Sequence, residues 1–341
     1  MRSFLCIFCL VFGFSSCGGC SLDSGDSGAD EAGYTFLSYN LCNLFDDVRD
    51  GSEYAEFDPA GGKWSSTDYA KKLKSVGRVI AESVPGGPDF VALVEIENDK
   101  ALADLAAGPL SDLGYRWGVT LPTAGSAIRV GFLSRFAVKD LRGHTPPSSG
   151  FFQRSFLELT LDIGGEELTV FICHFKAKSE GEAATENSRR LAADTLVRRI
   201  GEIKPRRTQV LVLGDLNENI DEYERKAGAY LTALMPPSAA PVTGDLLPLY
   251  VSGSTEETTL AGEPVFYSPW LDDPPFPGSY YYHGWETIDH ALLSRGLVDE
   301  AGLVFDSFTV IRNDFMLTAS GAPKKEFSDH LPILVRIRKK D

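Results

Sequence analysis

The chain has 341 residues, 43% of them hydrophobic, 11% aromatic and 24% charged, which excludes a disordered or fibrous protein and fits a packed globular one. Its 33 basic and 48 acidic residues leave a formal net charge of -15, which argues against a general coating protein for nucleic acid or anionic lipid. An enzyme that reaches a polyanion through a bound divalent cation stays open, because such a cation is often the largest charge in its site.

In chain order, the first segment is MRSFLCIFCLVFGFSSCGGCS, with Arg2, an apolar run from Phe4 to Phe14 and small residues up to Cys17. It predicts a signal peptide over residues 1–16, since the run is shorter than the roughly 20 apolar residues of a membrane span. Phe14-Ser15-Ser16-Cys17 resembles a bacterial lipoprotein box. Cys17, ahead of Cys20, is then the expected lipidated residue, and a cleaved signal that leaves free or paired thiols is the alternative. Residues 17–33 end in a Ser/Gly/Asp tract that reads as a flexible tether. An exported protein, lipid-anchored to a bacterial membrane and facing the periplasm or the cell surface, is the expectation. Of the remaining cysteines, Cys42 and Cys173 lie far apart in predicted strands and suggest small core residues, with pairing as the alternative.

A single folded domain is expected over 34–341. Apolar runs at 34–40, 89–95, 128–134, 151–163, 167–175, 208–216, 287–294 and 331–338 predict strands, several apolar on both faces and so covered on both sides. Helical spacing falls at 67–83 behind Ser66 as cap, at 99–113 and at 182–203. Gly164-Gly165 predicts a hairpin between two of the strands, which argues against a purely parallel sheet. The stretch 236–284, rich in proline, acid and tyrosine, reads as a long surface excursion, either loop filler or a wall facing substrate.

Polar residues recur at strand ends: Asn40, Glu95, His174, Asp215 with Asn217, Asp289-His290 and Asp329-His330. A lone carboxylate there is usually a turn residue, but so many are hard to assign to turns alone. In extended backbone Asp215 and Asn217 leave the same face, while each Asp-His pair splits across two faces, so that one member of each can enter a shared site. A carboxylate of one pair can then orient an imidazole of the other. A donor set dominated by Asp, Glu and Asn oxygens suits Mg²⁺ or Mn²⁺ rather than zinc.

The segments SYNLCNLF (38–45), LVEIEN (93–98), VGFLSRF (130–136), FICHFKAK (171–178), LGDLNE (213–218), TIDHALLS (287–294) and SDHLPI (328–333) resemble, in order, the motifs of the endonuclease/exonuclease/phosphatase superfamily. The resemblance implies an α/β fold, a four-layered sandwich of two mixed β-sheets packed face to face with helices outside. It also implies hydrolysis of phosphate esters by metal-assisted attack of water on phosphorus. Carried over, Glu95 is the principal metal ligand, with Asn40 beside it and Asp329 touching the metal through water. Asp215 activates the attacking water, Asn217 holds it, and His174 bonds a non-bridging oxygen. His330, oriented by Asp289, contacts the scissile phosphate. His290 has no assigned role.

Among the remaining residues, Arg189 is expected to make a surface helix ion pair and Arg135 to support the fold. Lys176 faces phosphate or solvent. Tyr280, Tyr281, Tyr282 and Trp285 either stack on a substrate or fill a loop.

A monomeric Mg²⁺-dependent (or Mn²⁺-dependent) phosphodiesterase acting on nucleic acid is the leading expectation, with Lys176, Lys178, Arg189 and Arg190 as its basic track. A phosphatase or phospholipase acting on an inositol phosphate, sugar phosphate or sphingomyelin is the alternative. A surface binding lipoprotein without catalysis is the third.

Overall fold

The computed structural model describes residues 33–148, 150–203, 209–239, 246–260 and 265–340. Cys17, Cys20, the signal and the tether lie outside the described residues. The strands are β1 (Tyr34–Leu44), β2 (Phe90–Ile96), β3 (Trp117–Leu121), β4 (Arg129–Ser134), β5 (Ala137–His144), β6 (Phe156–Ile163), β7 (Glu166–His174) and β8 (Val210–Asp215). They continue with β9 (Leu234–Met235), β10 (Leu249–Ser252), β11 (Val265–Tyr267), β12 (Tyr280–Tyr281), β13 (Trp285–Glu286), β14 (Asp289–Leu293), β15 (Leu303–Val310) and β16 (Ile333–Lys339). The helices that matter for layering are α1 (Ser66–Ala81), α2 (Asp99–Ala107), α3 (Glu182–Ile203), α4 (Glu222–Arg225) and α5 (Thr255–Leu260).

Six strands form one sheet in the order β15-β16-β1-β2-β4-β3, and eight form the other in the order β5-β6-β7-β8-β14-β11-β10-β9. Both are mixed, because β1 runs parallel to β2 and β7 parallel to β8 while their outer neighbours are antiparallel. The sheets face each other through β1 and β2 against β8, and β2 and β4 against β7. On the outside, α1 and α2 pack against the first sheet, and α3 and α5 against the second. This is the expected four-layered sandwich. Its central strands carry apolar side chains on both faces because neither face meets water, as in Phe90–Val94 and Val210–Leu213.

Several sequence expectations shift by a few residues for visible reasons. The cap of α1 is Ser65 rather than Ser66: its hydroxyl accepts from the Asp68 amide at 3.3 Å and donates to the Asp68 carboxylate at 2.6 Å. The α2 helix stops at Ala107 because Gly108 and Pro109 cannot continue it, leaving Ser111–Leu113 as a separate 3₁₀ turn. The Gly164-Gly165 hairpin forms as expected, with both glycines at positive φ. The stretch 236–284 is less irregular than expected, since β10 and β11 extend the second sheet and β12 starts a small hairpin with β13.

Parallel pairing brings the carboxyl ends of β1 and β2, and of β7 and β8, to one edge of the sandwich. Register then aligns residues of distant sequence: His174 lies opposite Asp215, and Asp215 opposite Asp289. Gly214 is required at this point, because at φ +128° a Cβ would lie 2.0 Å from the Cys173 carbonyl oxygen.

Candidate active site

The polar strand ends converge on a cavity of about 580 Å³ lined by Asn43, Glu95, His174, Asp215, Asn217, Tyr280, Asp329 and His330, among others. β1 and β2 reach it through irregularities. Register shifts occur between Asn40 and Leu44 and between Val94 and Ile96, and Cys42, Asn43 and Glu95 all adopt left-handed backbone (φ 49, 64 and 63°). Such conformations cost of order 1–3 kcal/mol each for residues other than glycine, and bulges of this kind re-aim a side chain next to a site. Here the result is that the Asn43 amide donates to Glu95 Oε2 at 3.1 Å. The Cys42 amide closes a turn onto Asn40 Oδ1 at 2.9 Å, which frees Asn40 Nδ2 to donate to Asp215 Oδ2 at 3.1 Å.

Asp215 and Asn217 do meet, though not through strand pleating. β8 ends at Asp215, Asn217 is left-handed (φ 51°), and its amide turns back to donate to Asp215 Oδ1 at 2.8 Å. The Asn217 side-chain amide donates to Phe175 O at 3.1 Å. His174 Nε2 lies 3.7 Å from Glu95 and 3.8 Å from Asp215, and its buried Nδ1 has no partner. His330 Nδ1 is 2.8 Å from Asp289 Oδ2, which also accepts from Ser279 Oγ at 2.6 Å. The other His330 nitrogen faces the cavity, 3.9 Å from Asp329 and 4.0 Å from Asp215. Ser328 ties this segment to β1 by donating to Asn40 O at 2.8 Å. Tyr280 lies against the His330 ring, with centroids 4.5 Å apart.

Charge in the cavity is unevenly distributed. Burial first, and then the nearby Asp289 charge, push the Asp215 carboxyl up to about 7. Burial alone would lower His330, but Asp289, by charge and hydrogen bond, with help from Asp215 and Asp329, lifts it to about 10. Burial, then Arg154, His330 and Lys176, hold His174 well below the usual histidine range, so it is neutral. Burial likewise raises Glu95.

The donor chemistry fits a hard divalent cation. Glu95, Asp215 and Asp329 make no ion pair with lysine or arginine among the described residues; the histidines beside them are neutral His174 and the His330 imidazolium, and the charges of Arg154 and Lys72 reach Glu95. Asp215, Asp289 and His330 also offer ligand atoms within 4.8 Å of one another, but the Asp289–His330 hydrogen bond already occupies two of them. Glu95 and Asp329, the carboxylates expected to hold a cation with Asn40, are outside that group, and Asn40 accepts from the Cys42 amide and donates to Asp215.

The family model described as the Endonuclease/Exonuclease/phosphatase family matches residues 35–235. The chain belongs to this family. Its members hydrolyse phosphoesters with divalent metals. No curated protein matches the chain. Among solved structures, a family protein from Bacteroides thetaiotaomicron has a TM-score of 0.56 at 14% identity, covering 91% of this chain and 99% of its own. The mannosyl-6-phosphatase of the same organism gives 0.56 at 14%, covering 89% and 99%. The human Nocturnin catalytic domain with bound sulfate gives 0.54 at 14%, covering 92% and 95%. At these identities the likeness is one of fold.

Several surrounding residues depart from the sequence expectations. Arg189 is not on the surface: it is fully buried. It is bonded to Glu186 at 2.6 Å and to Glu218 at 3.3 Å, which anchors the turn after β8 to α3. Lys176 pairs with Glu180 and Lys178 with Glu222, so three of the four residues of the expected basic track are neutralised by acids. His290 points away from the cavity and bonds Glu218 O at 2.8 Å. Arg135 supports the fold as expected, bonded to Leu113 O at 2.7 Å and Asp89 at 3.1 Å. Tyr280 and Tyr282 do line the cavity. Cys42 and Cys173 are free thiols. Unanticipated were Ser279 and Arg154, polar residues in loops with no spacing to reveal them, and the bond from Ser328, inside the SDHLPI segment, to Asn40 O.

Proposed function

We propose that the protein is a Mg²⁺- or Mn²⁺-dependent phosphodiesterase acting on a polynucleotide strand. The observation that carries the reading is a second cavity of about 510 Å³ that shares Cys42 and Asn43 with the first and is lined by Lys71, Lys72, Lys74, Lys325, Phe57 and Trp64. Against these four lysines stand Asp68 and Glu326. Lysines with aromatic neighbours leading away from a phosphate-hydrolysing site suit a chain of phosphates and bases better than a lone phosphomonoester.

In this proposal Glu95, with Asn40 and Asp329, holds the cation, whose Lewis acidity when bound neutralises charge on the phosphate. Asp215, whose proton affinity lies near neutrality, takes the proton of the attacking water as its oxygen bonds phosphorus and the ester P–O bond breaks. Asn217 positions that water. His330, kept as an imidazolium by Asp289, offers Nε2–H to the phosphate and the departing oxygen. Neutral His174 donates to a non-bridging oxygen, where charge grows in the transition state. Export and anchoring through a lipid on Cys17 belong to the same proposal, supported by the segment ahead of residue 34.

The test is turnover by the protein on plasmid DNA, RNA, bis-p-nitrophenyl phosphate, inositol phosphates, a sugar phosphate and sphingomyelin, with and without Mg²⁺ or Mn²⁺. Metal-dependent cleavage of polynucleotide, reduced about 10²–10⁴-fold in kcat by Asp215→Ala, is expected. Turnover confined to phosphomonoesters or to sphingomyelin would overturn the substrate class, and no turnover at all would favour a binding lipoprotein.

A further inference from the structure

The loop joining β1 to α1 carries a second acidic cluster that the hydrolytic site does not use. Asp50, Glu53 and Glu97 present carboxylate oxygens within 4.8 Å of one another. Glu97 follows β2 and is 1% exposed. One of its oxygens accepts from the Asp46 amide at 2.7 Å, and the other, Oε1, is buried without any partner. Asp46, itself buried, lies beside it.

None of these four acids forms an ion pair with lysine or arginine among the described residues. Arg49 of the same loop is committed to Asp58 at 3.3 Å, and Arg129, whose field reaches Asp50, is bonded to Thr120 at 3.3 Å. Burial pushes the Glu97 carboxyl up to about 7, and an oxygen buried without a donor is relieved by that proton or by a cation in its place.

We propose that Asp50, Glu53 and Glu97 form a second divalent-cation site of the calcium type, separate from the one at Glu95. Two oxygens each about 2.4 Å from a common Ca²⁺ lie at most ~4.8 Å apart, the span these atoms keep, and Ca²⁺ accepts irregular oxygen shells completed by carbonyls and water where Mg²⁺ demands an octahedron. The ligands come from an irregular loop and from the residue after a strand, so the ion would pin that loop to β2. The loop also carries the aromatic wall of the lysine cavity. Phe45 stacks on Phe57 at 4.6 Å, Phe57 meets Trp64 at 5.1 Å, and the Trp64 indole donates to Asp46 O at 2.7 Å. The inference does not depend on the hydrolytic reading.

Terbium replaces calcium at oxygen sites and emits when a nearby tryptophan is excited, and Trp64 is placed to sensitise it. The full chain is titrated with Tb³⁺, with Ca²⁺ as competitor, in the wild type, in Glu95→Gln to silence the other site, and in Glu95→Gln with Asp50→Asn. Glu95→Gln should bind one Tb³⁺ that Ca²⁺ displaces, and its thermal midpoint should rise with Ca²⁺. Adding Asp50→Asn, an exposed change that leaves the core intact, should weaken Tb³⁺ at least tenfold and abolish the rise. Absence of binding in folded Glu95→Gln, or an affinity unchanged by Asp50→Asn, overturns the proposal.

Discussion

Asp289 takes hydrogen bonds from two side chains, His330 Nδ1 and Ser279 Oγ, and touches no open part of the cavity. Its effect is exerted through His330. Because the Asp289 charge holds the His330 proton up to about 10, the imidazolium persists below that pH and is lost above it. Asp289→Asn keeps the shape and removes the charge, while burial continues to lower the histidine. The alkaline limb of the pH–rate profile is therefore expected to move down, so that kcat at pH 9 falls by about 10²–10⁴-fold while kcat at pH 6 falls much less. Equal losses at both pH values would show that Asp289 acts only as scaffolding. At this scale the sequence was informative where residues sat at the ends of apolar runs, as with Asn40, Glu95, His174 and Asp215. It was silent on Ser279, whose partner lies 10 residues away in sequence and is reached only by a folded hairpin.

Elements locate the site through two buried ion networks. Arg189 on α3 is bonded to Glu186 and Glu218 with no solvent to replace either. Arg189→Met should destabilise the protein by about 3–5 kcal/mol in denaturant unfolding, since it strands two buried carboxylates. The surface expectation failed because helical spacing shows which residues share a face but not that the turn after β8 folds over that face. Glu158 on β6 is the second network, bonded to Arg199 at 2.6 and 2.8 Å and to His144 at 2.7 Å.

Burial would raise Glu158, but Arg199 and His144 hold it down to about 2 against an ordinary 4.5. A folded value below the unfolded one stabilises the protein above pH 4.5, and that stability fades as pH falls toward 2. Glu158→Gln should thus cost about 3 kcal/mol at pH 7, with the gap to wild type narrowing below pH 4.5 and closing only below pH 2. Three longer strands the sequence did not reveal, β3, β5 and β15, all lie at sheet edges. Edge strands meet one neighbour and solvent, so they carry polar residues such as Lys139, Asp140 and Arg142 of β5 and lack the apolar run that marks an interior strand.

The whole molecule carries -15 yet gathers four lysines beside its cavity. Lys74 and Lys325 are exposed and make no ion pair among the described residues, whereas Lys71 lies 3.9 Å from Asp68. Lys74→Ala with Lys325→Ala should raise KM for polynucleotide and flatten its dependence on log salt by about 1 per lysine. Turnover of bis-p-nitrophenyl phosphate, too small to reach the second cavity, should be unchanged. An equal rise in KM for both substrates would remove the lysines from substrate recognition. Net charge gave no hint of this arrangement, because it averages over a surface on which the cations are local.

The order of the first sheet has a temporal consequence. β16 lies between β15 and β1, and His330, with its Ser328 latch, comes just before it. A chain still on the ribosome can supply Glu95 and Asp215 long before it can supply residue 330 or close that sheet. The cavity, with Ser328 donating to Asn40 O, is therefore complete only once β16 has paired with β1.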